Sequence, residues 1–108
     1  MERCRGAYAM IIVLGKFEIH PDDFESVKTN AIALMQATVK EDGCMKYAFA
    51  ADLAEPNCLQ LSECWRDDAA LSAHFLTAHI QAYRESLKSL RVLSRVVRRY
   101  DVTGSRDL

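Results

Sequence analysis

Glu63, Trp65, His74 and His79 are the residues of this 108-residue chain whose types and spacing could move protons. Imidazole is the side chain best poised to exchange a proton near neutrality. In the run Leu59-Gln60-Leu61-Ser62-Glu63-Cys64-Trp65, alternation puts Leu59, Leu61, Glu63 and Trp65 on one face of a strand and Cys58, Gln60, Ser62 and Cys64 on the other. One carboxylate therefore stands in an apolar row, where burial raises the pKa unless a cation or hydrogen-bond donors compensate. A helix follows on which Ala70, Leu71, His74 and Phe75 share a side, so His74 returns to the face of Glu63 and Trp65. An acid, an indole and an imidazole on one pocket wall suit general-base work on a weakly acidic phenol or enol, with Glu63 orienting an imidazole or donating when protonated. His79 falls in the first turn of the next helix, where the positive end of the dipole favours a neutral imidazole able to accept or relay a proton. Tyr47 can bring a phenol to the same pocket from the neighbouring strand. Each residue also has a structural explanation: Glu63 tying down a turn, Trp65 and Tyr47 as core, His74 filling the gap between helix and sheet.

The elements that must position these groups read in order. Met10 to Ile19 is a β-branched, nearly continuous apolar run, as in a strand covered on both faces, and Gly15 within it marks close packing or close approach of a ligand. His20-Pro21 breaks it, His20 itself reading as a solvated loop residue. Asp22 and Glu25 read as a capping box for a helix over 23–41, whose stripe is Phe24, Val27, Ala31, Leu34, Met35 and Thr38. Gly43 ends that helix in the left-handed conformation. Residues 44–52 form a strand with Met45, Tyr47 and Phe49 on one face; 53–57 is turn chemistry, and 58–65 returns to make a hairpin. Asp67-Asp68 starts one helix, and Thr77 caps another with the stripe Ile80, Tyr83, Leu87 and Leu90. Residues 92–102 alternate as a last strand, 103–108 is a polar tail, and 1–9 is an N-terminal extension, expected to be mobile.

Composition narrows the partners. Fourteen basic and fifteen acidic side chains give a formal charge of −1, no electrostatic footprint for nucleic acid or an anionic membrane. No apolar run approaches the ~18 residues of a membrane span. The four cysteines lack CxxC spacing, which with the absence of a signal peptide predicts reduced thiols in a cytoplasmic protein. His74 and His79 are five apart, not the i,i+4 spacing that puts two imidazoles on one helical face, and no third ligand has a motif spacing, so no metal is expected. Glycine-rich phosphate loops and nucleophile elbows are also missing, and no cofactor is expected.

Asp42-Gly43-Cys44-Met45-Lys46-Tyr47, followed by Glu63-Cys64-Trp65, then His74 and Thr77-Ala78-His79, resembles the signature of the antibiotic biosynthesis monooxygenase domains, the group that includes quinol monooxygenases. The resemblance covers about residues 10–100. It implies an α+β, ferredoxin-like βαββαβ sandwich with an antiparallel sheet and a split second helix, pairing into a dimeric α+β barrel. It also places a His at position 74 facing the ligand cleft. Relatives commonly read Thr-Pro-His where this chain has Ala78, which loosens the helix entry before His79. The haem-degrading branch carries an Asn on the first strand, a Trp at the place of His74 and a His ten positions later. This chain has no such Asn, has His74 itself and has Arg84 at the later place, so haem degradation is disfavoured.

The function that these features together lead us to expect is a cofactor-independent monooxygenase using dioxygen on a quinol or polyhydroxylated aromatic. His74, His79 and Glu63 would be catalytic, and Trp65, Tyr47, Phe75 and Tyr83 would shape the substrate pocket. Two alternatives use the same pocket: a proton-shuttling isomerase of a small keto or hydroxy metabolite, and a non-enzymatic small-molecule binder. Arg95, Arg98 and Arg99 could bind an anionic substrate. A homodimer is expected because helices cover one face of such a sheet and the other also carries apolar residues.

Overall fold

Alternation along the first strand decides which face of the sheet is covered. In the computed structural model, which describes residues 10–108, β1 (Met10–Ile19) buries Ile11, Val13, Gly15 and Ile19, while Leu14 on the other face is 46% exposed. Cover on both faces, expected from the continuous apolar run, is not found within the chain, because the helices all pack on the Ile11–Val13 side. The order is β1, a 3-10 turn at Pro21–Asp23, α1 (Phe24–Thr38), β2 (Cys44–Ala51), β3 (Cys58–Trp65), α2 (Asp68–His74), α3 (Ala78–Leu87) and β4 (Val92–Val102). The expected extension at residues 1–9 lies outside the described residues.

All strand pairs are antiparallel, in the order β2-β3-β1-β4. This is the βαββαβ arrangement with its second helix split, but the barrel does not form. The sheet is open, with β2 and β4 as its edges, and its four strands are too few to enclose side chains, which takes about eight.

Local chemistry departs from the sequence reading at the first helix. Asp23 is its N-cap but makes no capping bond; Asp23 Oδ2 instead accepts from Arg91 N at 2.7 Å and Arg91 Nε at 2.9 Å. The expected Asp22/Glu25 box is thus replaced, and His20, expected to be solvated, accepts from Asp22 N through Nδ1 at 3.1 Å. The helix stops at Thr38, short of 41, and tightens through Lys40 N to Ala37 O and Glu41 N to Thr38 O. Gly43 takes the left-handed φ of +84°. A Cβ there would stand 2.5 Å from Ala70 Cβ, so its bare backbone lets this turn rest against α2.

A register shift between Cys44 and Lys46 also moves Met45 off the Tyr47–Phe49 face. Met45 is 60% exposed and meets Cys64 on the uncovered side, while Cys44 packs against the core. A bulge of this kind reverses the facing of the residues before it. Gly15 is tightly packed, its missing Cβ lying 3.1 Å from Val97 and 3.4 Å from Leu61 Cβ.

Candidate active site

His74 is the last residue of α2, a helix started by Asp67, whose side chain accepts from Ala70 N at 2.8 Å. Ala70, Leu71 and His74 are its buried residues, and His74 is 1% exposed. Aromatic rings surround the imidazole: Trp65 at 4.9 Å between centroids, Tyr47 at 5.4 Å and Phe75 at 5.6 Å. Glu63, Tyr47 and His74 come together on one cavity, but Trp65, expected to shape that pocket, does not line it: it is fully buried behind His74, where its ring packs as core.

Its hydrogen bonds are not those expected. Glu63 makes no hydrogen bond to either imidazole; its Oε1 accepts from Trp65 Nε1 at 2.7 Å. The carboxylate that holds both rings is Glu41, which sequence reasoning left at the end of the first helix. Glu41 Oε2 lies 2.6 Å from His74 Nδ1 and 2.6 Å from His79 Nε2. Glu41 reaches them because the turn ending in Gly43 folds back over α2, held by Arg66 N donating to Gly43 O at 2.8 Å. The only local signal was an acidic residue two places before a helix-ending glycine; its partners lie 33 and 38 residues on.

A carboxylate has lone pairs only, so each neutral imidazole must donate to it. That assigns the proton of His74 to Nδ1 and leaves the Nε2 lone pair free, and His74 lines a cavity beside α3. Burial, the largest influence, holds His74 below its usual pKa despite Glu41, and Arg84 adds a smaller push in the same direction. The imidazole is accordingly neutral at pH 7, as a base must be. Burial also lifts Glu63 to about 7, partly offset by the Trp65 bond, and raises Tyr47 far above the ordinary phenol range.

The cavity, about 180 Å³, lies between α3 and the sheet. Val13, Phe17, Leu61 and Val97 form its apolar floor, and Tyr47, Glu63, His74, Phe75 and Tyr83 come to it from the other elements. Tyr83 and Phe75 thus join the expected pocket residues, although Phe75, expected on the buried stripe, is 43% exposed at its edge. His79 does not line this cavity; it opens on a shallower depression beside Asn30 and Ala82, on the far side of Glu41. Thr77 fixes the entry between the two imidazoles, donating to His74 O at 2.8 Å and accepting from Ile80 N at 3.3 Å.

Glu41, His74 and His79 also present ligand atoms within 4.8 Å of one another, a set that could hold a metal ion. Motif spacing missed it because the third ligand comes from another element. The two 2.6 Å separations are hydrogen-bond lengths, shorter than the roughly 3.3 Å edge of a tetrahedron with ~2.0–2.1 Å bonds, so an ion would have to push the set apart.

The sequence matches the antibiotic biosynthesis monooxygenase family over residues 10–86, most of the chain. The protein belongs to that family. This antibiotic biosynthesis monooxygenase domain is 28% identical over 107 residues to the Synechocystis protein named "Uncharacterized protein sll1783", covering 99% of this chain and 73% of that one. It is 30% identical over 81 residues to the Bacillus subtilis protein named "Putative monooxygenase YcnE", covering 75% and 85%. To the Escherichia coli protein named "Probable quinol monooxygenase YgiN" it is 28% identical over 89 residues, covering 73% and 86%. Rv0793 from Mycobacterium tuberculosis shares the fold, with a TM-score of 0.83 at 24% identity over 92% of this chain and all of that one. Membership places the chain among monooxygenase-type oxidoreductases. No helix among the described residues is long and apolar enough to cross a membrane.

Proposed function

We propose that this chain is a cofactor-independent monooxygenase of quinols or polyhydroxylated aromatics, acting as a cytoplasmic homodimer. The observation that carries the reading is the Glu41–His74 pair: a buried imidazole whose Nδ1 is held by a carboxylate and whose ring lines the cavity. Nε2 takes a hydroxyl proton from the bound quinol, and Glu41 stabilises the imidazolium that results. The deprotonated ring is electron-rich enough to reduce dioxygen directly. One oxygen atom enters the ring and the other leaves as water, with the quinol supplying all four electrons that reduce dioxygen, so quinol plus dioxygen gives a hydroxyquinone plus water.

Tyr47, Phe75 and Tyr83 shape the pocket around the ring, and Trp65 packs behind His74. Glu63, lifted to about 7, is partly protonated at neutral pH and can donate to an oxygen of the substrate. His79, 27% exposed and bonded to the same carboxylate oxygen, offers the proton a way towards solvent. Reduced cysteines fit the cytoplasm, and the three described ones are free. A second copy fits the uncovered sheet face, where Leu14, Met45, Val96 and Tyr100 are each at least 43% exposed. Turnover must stop when dioxygen is removed; product formed at an unchanged rate under argon would overturn the oxygenase reading and leave a proton-transfer reaction.

A further inference from the structure

Two guanidiniums open on the cavity that Glu63 and His74 line, and neither has a carboxylate partner among the described residues. Arg84 and Arg95 both line the cavity that holds His74. Their neighbours differ: Arg66 pairs with Asp42 and Asp67, Arg91 with Asp22 and Asp23, and Arg99 with Asp68 at 2.7 Å and Asp101 at 2.9 Å. Of the alternating arginines of β4, then, Arg99 is spent on ion pairs. Arg98 faces the other side of the sheet, opposite Leu14, and only Arg95 reaches the cavity. Arg84 comes from α3 and lies over the Phe75 ring, 5.1 Å from its centroid. That contact holds the guanidinium beside the pocket without neutralising it.

Size and shape select what such a mouth can take. A 180 Å³ space accommodates one substituted six-membered ring, since an engineered apolar cavity of about 150 Å³ binds benzene. A second cavity of about 260 Å³, lined by Ile19, Val27, Leu59, Leu90 and Val92, shares Phe17, Tyr83, Leu87 and Arg95 with the first. Arg95 therefore stands where the two spaces meet. The only acid lining either space is Glu63, which is already bonded to Trp65 Nε1. The cleft thus carries two guanidiniums among largely apolar walls, and a planar guanidinium fork matches a carboxylate in two parallel bonds.

We propose that Arg84 and Arg95 form an anion subsite and that the substrate is a hydroxylated aromatic carrying a carboxylate, its hydroxyl at His74 and its acid group at the two guanidiniums. The inference rests on the pocket assigned above to the substrate, and it narrows the class from neutral quinols to aromatic acids. It concerns binding, so it can be tested apart from the oxygenase chemistry.

The test is calorimetric titration under argon with 2,5-dihydroxybenzoate and with hydroquinone, on the wild type and on Arg84→Gln, Arg95→Gln and Arg98→Gln. The wild type should bind the acid at least about tenfold more tightly than the neutral quinol, the least expected of a charge-assisted bond. Arg84→Gln and Arg95→Gln should each reduce that preference several-fold while leaving hydroquinone affinity within about twofold. Arg98→Gln, on the opposite face, should leave both affinities unchanged. Equal affinity of the wild type for both compounds, no binding of either at millimolar concentration, or a preference that survives both cavity substitutions would overturn the subsite. A preference lost with the arginines in a protein that consumes no oxygen would uphold the subsite and count against the oxygenase alone.

Discussion

At position 41 the difference between a carboxylate and an amide decides which nitrogen of His74 carries the proton. Glu41→Gln can turn its NH2 towards Nδ1, moving the imidazole proton to Nε2 and leaving the cavity without a base. Activity should fall roughly 10²–10⁴-fold with little change in melting temperature, the usual share of general-base catalysis. An unchanged kcat would remove Glu41 from the mechanism. Glu63 gives a prediction about pH. Its carboxyl binds its proton more tightly folded, near 7, than unfolded, near 4.5, so its contribution to stability is fully present below the unfolded value and is lost as pH rises towards 7. His74, held below 6.5 when folded, gives an opposite slope just under that value, with stability gained as pH rises. Glu63→Gln keeps an acceptor for Trp65 Nε1 and should stabilise the protein at pH 8 by on the order of 1–3 kcal/mol, with no gain at pH 4. Equal effects at both pH values in denaturant melts would contradict the buried-acid account. At this scale the grouping of Glu63, Trp65 and His74 was legible, because periods of 2 and 3.6 fix facing. Glu41 was not, since nothing local specifies a partner 33 residues away.

Elements position the pair through one turn. Gly43 combines a positive φ with contact against Ala70, and either alone resists a side chain. Gly43→Ala should cost roughly 1–3 kcal/mol in denaturant melts and lower kcat as Glu41 withdraws from the imidazoles. An intact kcat in a destabilised protein would separate the turn from the site. The glycine's helix-ending role was legible from its place after the apolar stripe, as were the Thr77 cap and the bounds of β4. The Met45 bulge was not, because it is an agreement between two strands that neither sequence displays alone. The capping box at Asp22 failed for a related reason: a distant arginine, Arg91, competes for Asp23 and displaces the local pattern.

At the scale of the whole molecule, helices cover one face of an open sheet and leave Leu14, Val96 and Tyr100 in solvent on the other. A second copy would bury them, and size-exclusion chromatography with light scattering should find a dimer at micromolar concentration that Leu14→Lys with Val96→Lys converts to monomer. A stable wild-type monomer would contradict this. The order of elements could be read from the sequence; the openness of the sheet could not, because edge closure depends on strands the pattern does not count. In the mechanism proposed, a carboxylate-held His74 lets the substrate reduce dioxygen unaided. Oxygen consumption by chelator-treated protein with hydroquinones and dihydroxybenzoates, compared with His74→Ala, tests it most directly. Substrate-dependent uptake above autoxidation in the wild type, lost at least about 100-fold in the variant, is the result predicted. Uptake that the variant retains in full, or that vanishes on chelation and returns only with added metal, would contradict it.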